Sequence, residues 1–263
     1  MRIFPDTLVA PKKRVLFPNH IPVWKRALDI LFILAVLPVF LPLISLIALG
    51  IMLLSPGPVL FRQTRIGYRG RPFLCLKFRS MRVNADTAVH KKHLEQLMQA
   101  DVPMRKMDLQ GDSRLIPLGS FFRATGLDEL PQLINVLRGE MSIVGPRPCV
   151  AYEYERYLPW QKRRFDTVPG LTGLWQVSGK NKTTFTKMVS MDISYANNKS
   201  LWLDLRIILK TVPAMIEQVK ELANKKTPKD QKTAQESCLN GAVPDPNEAS
   251  TILTEQETKP VNS

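Results

Sequence analysis

Three rhythms of apolar and polar residues follow one another along the chain. From Ile30 to Leu54 there are 25 residues without a single charge. As a helix this run is about 37 Å long, enough to cross a hydrocarbon core of ~30 Å. Pro38 and Pro42 fall within it, and each removes a backbone donor and crowds the preceding turn. Lys12, Lys13, Arg14, Lys25 and Arg26 precede the run, and Arg62, Arg65, Arg69 and Arg71 follow it. Basic flanks mark the cytoplasmic side. A re-entrant hairpin broken at Pro42 puts both flanks there, with arms of roughly 18 Å each. A kinked spanning helix is the other reading, because membrane helices tolerate proline. Asp29, one turn after Lys25 and Arg26, needs a cation to lower its cost.

After Ser55-Pro56-Gly57-Pro58 the rhythm changes to a period of two. Val59–Tyr68 and Phe73–Met81 read as two strands joined through Gly70-Arg71-Pro72. Lys77 and Arg79 then share a strand face, which suits a diphosphate or a solvated surface. Residues 84–110 have helical spacing at Leu94, Leu97 and Met98. His90 and His93 lie there without a further ligand nearby, so the pair carries no metal expectation. Tyr152–Phe165 reads as an amphipathic helix, Val168–Val177 as turn then strand, and Phe185–Asn197 and Leu201–Val212 as helices. In the last, Leu201, Leu205, Ile208, Leu209 and Val212 form a stripe that fits a core, while Trp202 fits a membrane interface.

These rhythms predict an α+β chain with four parts: a basic lead-in at 1–22, a membrane hairpin at 23–55, a compact helix-rich domain with a small β-sheet at 56–224, and a disordered tail from 225 to 263. The tail is polar and aperiodic. It holds five cations and six anions, so the net charge of +14 belongs to the part before it. A positive surface of that size calls for an anionic partner: a phosphorylated substrate, an anionic membrane face or nucleic acid. No nucleic-acid module is present to support the last. Cys75, Cys149 and Cys238 are far apart and form no CxxC, which fits a reducing compartment and excludes a disulfide framework. No small-residue cleavage site follows the apolar run, so it is read as retained.

The densest chemistry lies between Arg123 and Pro148. Asp128 and Glu129 are adjacent, Pro131 follows, and Gly145-Pro146-Arg147-Pro148 ends the stretch. Adjacent carboxylates often do no more than complement a helix dipole. Beside arginines, a carboxylate also stays ionised and can act as a nucleophile or hold a divalent cation. Arg147 between two prolines has a restricted backbone and is preorganised for phosphate. If the intervening turn folds back, Arg123 shares the carboxylates' site.

The ordered set Lys25-Arg26-Ala27-Leu28-Asp29, Ser55-Pro56-Gly57-Pro58, Lys77-Phe78-Arg79-Ser80-Met81, Leu127–Leu133, Gly139–Ser142, Gly145–Pro148, Pro169–Gly173 and Leu203-Asp204-Leu205 closely resembles the bacterial sugar transferase family, the monotopic polyprenyl-phosphate phosphoglycosyl transferases of small single-domain type. The resemblance covers roughly Lys25 to Val212. It implies transfer of a sugar-1-phosphate from a UDP-sugar to undecaprenyl phosphate with release of UMP, the step that initiates exopolysaccharide, capsule or O-antigen assembly. It implies Asp128 as nucleophile and Mg2+ ligand, Glu129 as its catalytic partner, and Arg123, Arg147, Lys77 and Arg79 as phosphate-binding residues. It places the chain at the bacterial inner membrane with its catalytic domain on the cytoplasmic face, against anionic lipid; a homodimer is an allowed assembly. Motifs such as Leu174-Trp175-Gln176 favour glucose or galactose by analogy. The chain departs from the pattern at Leu41-Pro42, where a Ser-Pro pair marks the bend, at Gly126, where serine is frequent, and at Ile116-Pro117, where a Thr-basic pair stands. A membrane-anchored basic scaffold of a polysaccharide-assembly complex would share the charge and the apolar run but would not need the dyad.

Overall fold

The computed structural model describes residues 21–82, 95, 97–98, 114–179 and 183–223. Nearly all of the expected lead-in, the histidine pair and the whole of the expected tail lie outside these residues. Within them, helices surround two small sheets, as an α+β chain requires.

Helix α1, Val23–Leu54, has 32 residues and contains both Pro38 and Pro42. It is about 48 Å long at 1.5 Å per residue, and apolar enough to cross a membrane. The expected break into two helices at Pro42 is absent: the helix runs through both prolines. The Ser45 hydroxyl bonds back to the Leu41 carbonyl at 3.0 Å. Leu34, Leu37, Val39, Leu41 and Leu46 in the middle of α1 are exposed, whereas Ile33, Ile47 and Ile51 are buried.

Both ends of α1 are bolted to the rest of the fold. Lys25, one of the basic residues that flank the apolar run, is fully buried. Its Nζ donates to Asp204 at 2.5 Å and to the Tyr195 hydroxyl at 2.8 Å. Arg26 donates to the carbonyls of Val136 and Leu137 at 2.5 and 2.6 Å, at a helix C-terminus, where the last carbonyls lack intrahelical partners; that of Val136 also accepts from the Gly139 amide at 2.9 Å. Asp29 accepts from the Ser142 hydroxyl and the Ile143 amide, both at 2.8 Å, and the charges of Lys25 and Arg26, the cations expected to lower its cost, act on it as well. At the far end, Arg79 donates to the carbonyls of Ser55 and Pro56 at 2.6 and 2.5 Å.

Strands β1 (Leu60–Ile66) and β2 (Pro72–Phe78) form the expected antiparallel hairpin, with Gln63 opposite Cys75 and Arg65 opposite Phe73. Opposed residues share a face, so Arg65, Cys75 and Lys77 stand on one side. Helix α2 (Gly119–Thr125) begins where Ile116 bonds the Ser80 carbonyl at 3.1 Å. Helix α3 (Gln132–Leu137) leads to β3 (Ser142–Val144), which pairs in parallel with β4 (Gly170–Thr172). Gly145 and Gly170 make that pairing possible. A Cβ on Gly170 would lie 2.0 Å from the Gly145 nitrogen, and one on Gly145 would lie 2.4 Å from the Val168 carbonyl oxygen.

The helix expected over Tyr152–Phe165 is divided. One turn, α4 (Ala151–Tyr154), is followed by a 3-10 segment at Gln161–Asp166. Pro159 lies between them and offers no amide to continue an α-helical ladder. The strand expected through Val177 ends at Thr172, after which Trp175–Val177 form a 3-10 turn. Helices α5 (Phe185–Asn198) and α6 (Leu201–Ala223) complete the fold, the latter running past Pro213. The expected stripe on α6 does not face the core as a unit. Asp204 and Ile207 are buried, while Leu201, Trp202, Leu209 and Val212 are exposed.

The main core gathers Ile33, Phe73, Cys75, Leu133, Val136, Met141, Ile143, Val144, Tyr195 and Ile207. A second cluster, including Ile47, Ile51, Phe78, Ile116 and Phe122, seats the other half of α1. Each fully buried aliphatic side chain contributes about 1.5–3 kcal/mol. Packing therefore holds both halves of α1 where its polar bolts place them.

Candidate active site

The carboxylate pair lies on a 3-10 turn, Leu127–Glu129, between α2 and α3. Gly126 has φ +71°, a left-handed conformation that ends α2 and that side-chain-bearing residues resist. The Glu129 amide closes the turn onto the Gly126 carbonyl at 3.0 Å. Asp128 and Glu129 are thus one turn ahead of α3, whose own first turn carries no acid. Asp128 is 5% exposed. Glu129 Oε1 accepts from Lys77 Nζ at 2.6 Å, and both side chains are half-buried.

Asn135 on α3 sets this turn against β2. Its side chain accepts from the Leu76 amide at 3.1 Å and donates to the Leu74 carbonyl at 2.8 Å. It thereby pairs the strand edge that β1 leaves open, and its Nδ2 also reaches Glu140 at 2.6 Å. The result places the dyad beside Lys77 on the strand.

The turn after β3 is held from three directions. The Pro146 carbonyl accepts from the Gly170 amide at 2.9 Å. The Arg147 carbonyl accepts from Arg164 at 3.1 Å, and the Pro148 carbonyl accepts from Arg65 at 3.2 Å. A segment flanked by prolines has few amides with which to close its own turn, so donors from elsewhere fix it.

Four charged groups act on the buried Cys75 thiol. Burial raises its pKa most; Lys77, Arg65 and Arg147 oppose this and Glu129 adds to it. The Arg65 guanidinium is held below its ordinary range, first by burial and then by Arg147. Three cations and one carboxylate therefore share the neighbourhood of one buried atom, on the strand face that the register assigns to Arg65, Cys75 and Lys77.

Of the residues singled out in the sequence, Lys77 and Glu129 meet directly, Asp128 shares their turn, and Arg147 belongs to the same electrostatic neighbourhood. Arg123 occupies the last turn of α2, which touches the turn bearing Asp128, and its carbonyl accepts from Gln218 at 3.2 Å. Arg79 is buried, and both its terminal nitrogens serve the exit of α1. Arg65 was read only as a flanking charge. Its position on the strand face of Lys77, four register positions away across the hairpin, is the signal that marks it.

A family model described as bacterial sugar transferase matches residues 20–218 of the chain. The chain belongs to that family. It is 41% identical over 191 residues to the exopolysaccharide production protein ExoY of Sinorhizobium fredii, covering 73% of this chain and 84% of that protein. It is 42% identical over 200 residues to a UDP-glucose:undecaprenyl-phosphate glucose-1-phosphate transferase of Caulobacter vibrioides, covering 73% and 69%. With the galactosyl transferase CpsE of Streptococcus agalactiae it shares 46% over 161 residues, which is 61% of this chain but 35% of that protein. The match to a UDP-galactose-lipid carrier transferase of Erwinia amylovora spans 40% of that protein, so the chain covers less than half the length of these last two relatives.

Proposed function

We propose that the protein transfers a sugar-1-phosphate from UDP-glucose or UDP-galactose to undecaprenyl phosphate, releasing UMP, as the first step of exopolysaccharide, capsule or O-antigen assembly. The observation that carries this reading is the convergence of Asp128 and Glu129 with Lys77, Arg65 and Arg147 beside a turn whose three carbonyls are each held. Like charges brought together as Arg65 and Arg147 are repel one another. A diphosphate between them would relieve that repulsion. The names of the relatives supply the substrates.

An Asp128 carboxylate oxygen bonds to the sugar-side phosphorus of the diphosphate as the bond from that phosphorus to the UMP oxygen breaks. UMP leaves with that electron pair. An oxygen of undecaprenyl phosphate then attacks the same phosphorus, breaking its bond to Asp128 and restoring the carboxylate. Splitting one transfer into two displacements is the logic of nucleophilic catalysis. Arg147, Arg65 and Arg123 hold phosphate oxygens and spread the charge of each displacement. Lys77 keeps Glu129 oriented until substrate competes for it. Arg79 serves the exit of α1 in this reading, and no phosphate is assigned to it.

The donor set fits Mg2+ in the manner of sites that the substrate completes. Among the described residues no cluster of three or more acidic, histidine or cysteine groups forms a cage, and Mg2+ commonly takes one or two carboxylates plus phosphate oxygens. Asp128 would be its ligand, with Glu129 adjacent. When bound, the ion would neutralise diphosphate charge.

The domain sits at the cytoplasmic face of the bacterial inner membrane, with α1 bending at Pro38 and Pro42, without a break in its helical run, so that it enters and leaves by the same leaflet. What supports this is the attachment of both ends of α1 to one body, through Lys25, Arg26 and Asp29 at one end and Ser55 and Pro56 at the other. Lipid would cover the exposed middle of α1 and the exposed apolar residues of α6. The test is UMP release by purified protein given undecaprenyl phosphate and a panel of UDP-sugars. UDP-glucose or UDP-galactose should support turnover and Asp128→Asn should abolish it; full activity in that variant would refute the reading.

A further inference from the structure

Behind the Gly-Pro-Arg-Pro turn lies a buried charged cluster that the transfer itself does not use. Arg164 and Asp192 are each 1% exposed and pair at 2.6 Å. Arg164 also donates to the Tyr157 hydroxyl, and Tyr157 in turn donates to Glu153 at 2.5 Å. Glu153 lies 3.9 Å from the guanidinium. The rings of Tyr157 and Phe165 flank the guanidinium at 5.4 and 5.6 Å. The nitrogen that meets Asp192 also donates to the carbonyl of Arg147 at 3.1 Å.

We propose that Arg164, held by Asp192, is a positioning residue for Arg147. The inference rests on the reading of Arg147 as a ligand of the substrate's phosphate. A buried ion pair is weak evidence for stability, because an apolar replacement is often neutral or better. Its use here is directional. The Arg147 carbonyl defines ψ at that residue, and so the angle between its side chain and the following Pro148, whose carbonyl Arg65 holds. Pro148 supplies no amide, so the orientation of the peptide plane between the two residues depends on the donor behind it. Arg164 suits that task because its planar guanidinium fixes the direction of each donor, one terminal nitrogen facing both Asp192 and the Arg147 carbonyl and the other the Tyr157 hydroxyl. Burial pushes the Asp192 carboxyl up, and the charge and hydrogen bonding of Arg164 oppose that shift.

Residues that act through one another show non-additive effects. The experiment measures kcat and KM for UDP-glucose and UDP-galactose, with undecaprenyl phosphate saturating, in Asp192→Asn and Arg164→Lys. Each is made alone and in an Arg147→Ala background, with melting temperatures recorded for all. Arg164→Lys keeps a cation for Asp192 but loses the fork, so it remains informative should Asp192→Asn fold poorly. The expected result is a rise in KM of about tenfold in the first background, within the usual range for residues sharing a network, and no further rise once Arg147 is gone. Equal fold-changes in both backgrounds, or a fall in melting temperature with KM unmoved, would overturn the inference and leave the transferase reading intact. Absence of UMP release from the wild-type protein with every UDP-sugar would overturn both.

Discussion

Asn135 is where the fold and the site depend on one side chain. It is completely buried, and it pairs with the Leu76 amide and the Leu74 carbonyl on the edge of β2. Asn135→Ala removes both bonds and supplies nothing in return. Leu76 is buried, so its amide bears the full cost of an unsatisfied donor, about 1–3 kcal/mol. Leu74 is half-buried, so water recovers part of the cost at its carbonyl, and the Glu140 carboxylate loses one donor. Together these losses come to about 3 kcal/mol, a large fraction of a typical stability of 5–15 kcal/mol. In a chain of this size that corresponds to a fall in melting temperature of roughly 6–12 °C. Thermal unfolding in one detergent at one scan rate reads it. Asn198→Ala is the control, because Asn198 is exposed and bonds only within its own helix. The loss should extend to activity, since α3 carries the dyad's turn against Lys77, and kcat for UMP release should fall with the melting temperature. A shift below about 2 °C, or the full shift with kcat unchanged, would refute the claim that this pairing places the dyad.

Other expectations follow from the same contacts. Lys25→Met strands the buried Asp204 carboxylate, which costs about 3–5 kcal/mol; the double variant with Asp204→Leu should recover part of the lost melting temperature. Gly170→Ala places a methyl 2.0 Å from the Gly145 nitrogen, so folded yield from detergent extracts should collapse, while Gly50→Ala, with nothing within 4 Å, should be tolerated. Burial raises the thiol pKa values of Cys75 and Cys149. Raised values keep both thiols protonated and unreactive, so peptide mapping after iodoacetamide at pH 8 should find them unlabelled until denaturant is added.

The sequence made visible what depends on neighbours in the chain. The β1–β2 hairpin followed from alternation and a Gly-Arg-Pro turn and α5 from its helical spacing, while the dyad and the proline-flanked Arg147 stood out as local motifs whose roles only the family resemblance implied. What it hid were partners far along the chain. Lys25 and Arg26 looked like membrane flanks because nothing near them offers Asp204, Tyr195 or the carbonyls after Val136. Arg79 shared a strand period with Lys77, yet its partners lie at the exit of α1. Arg65 gained meaning only from the hairpin register. The division of Tyr152–Phe165 was legible at Pro159, whose missing amide outweighs the amphipathic spacing. The spread of apolar residues around α6 depends on which residues Tyr195 and Val144 admit to the core, and no local pattern encodes that.

In the proposed transfer Asp128 becomes covalently bonded to phosphorus. The most direct measurement is UMP release from the purified protein given a UDP-sugar and no undecaprenyl phosphate, followed by mass mapping of the peptide containing Asp128. The expected result is a burst of one UMP per protein, a sugar-phosphate on Asp128, and discharge of that adduct when undecaprenyl phosphate is added. Release of UMP only when both substrates are present, with Asp128 unmodified, would contradict it.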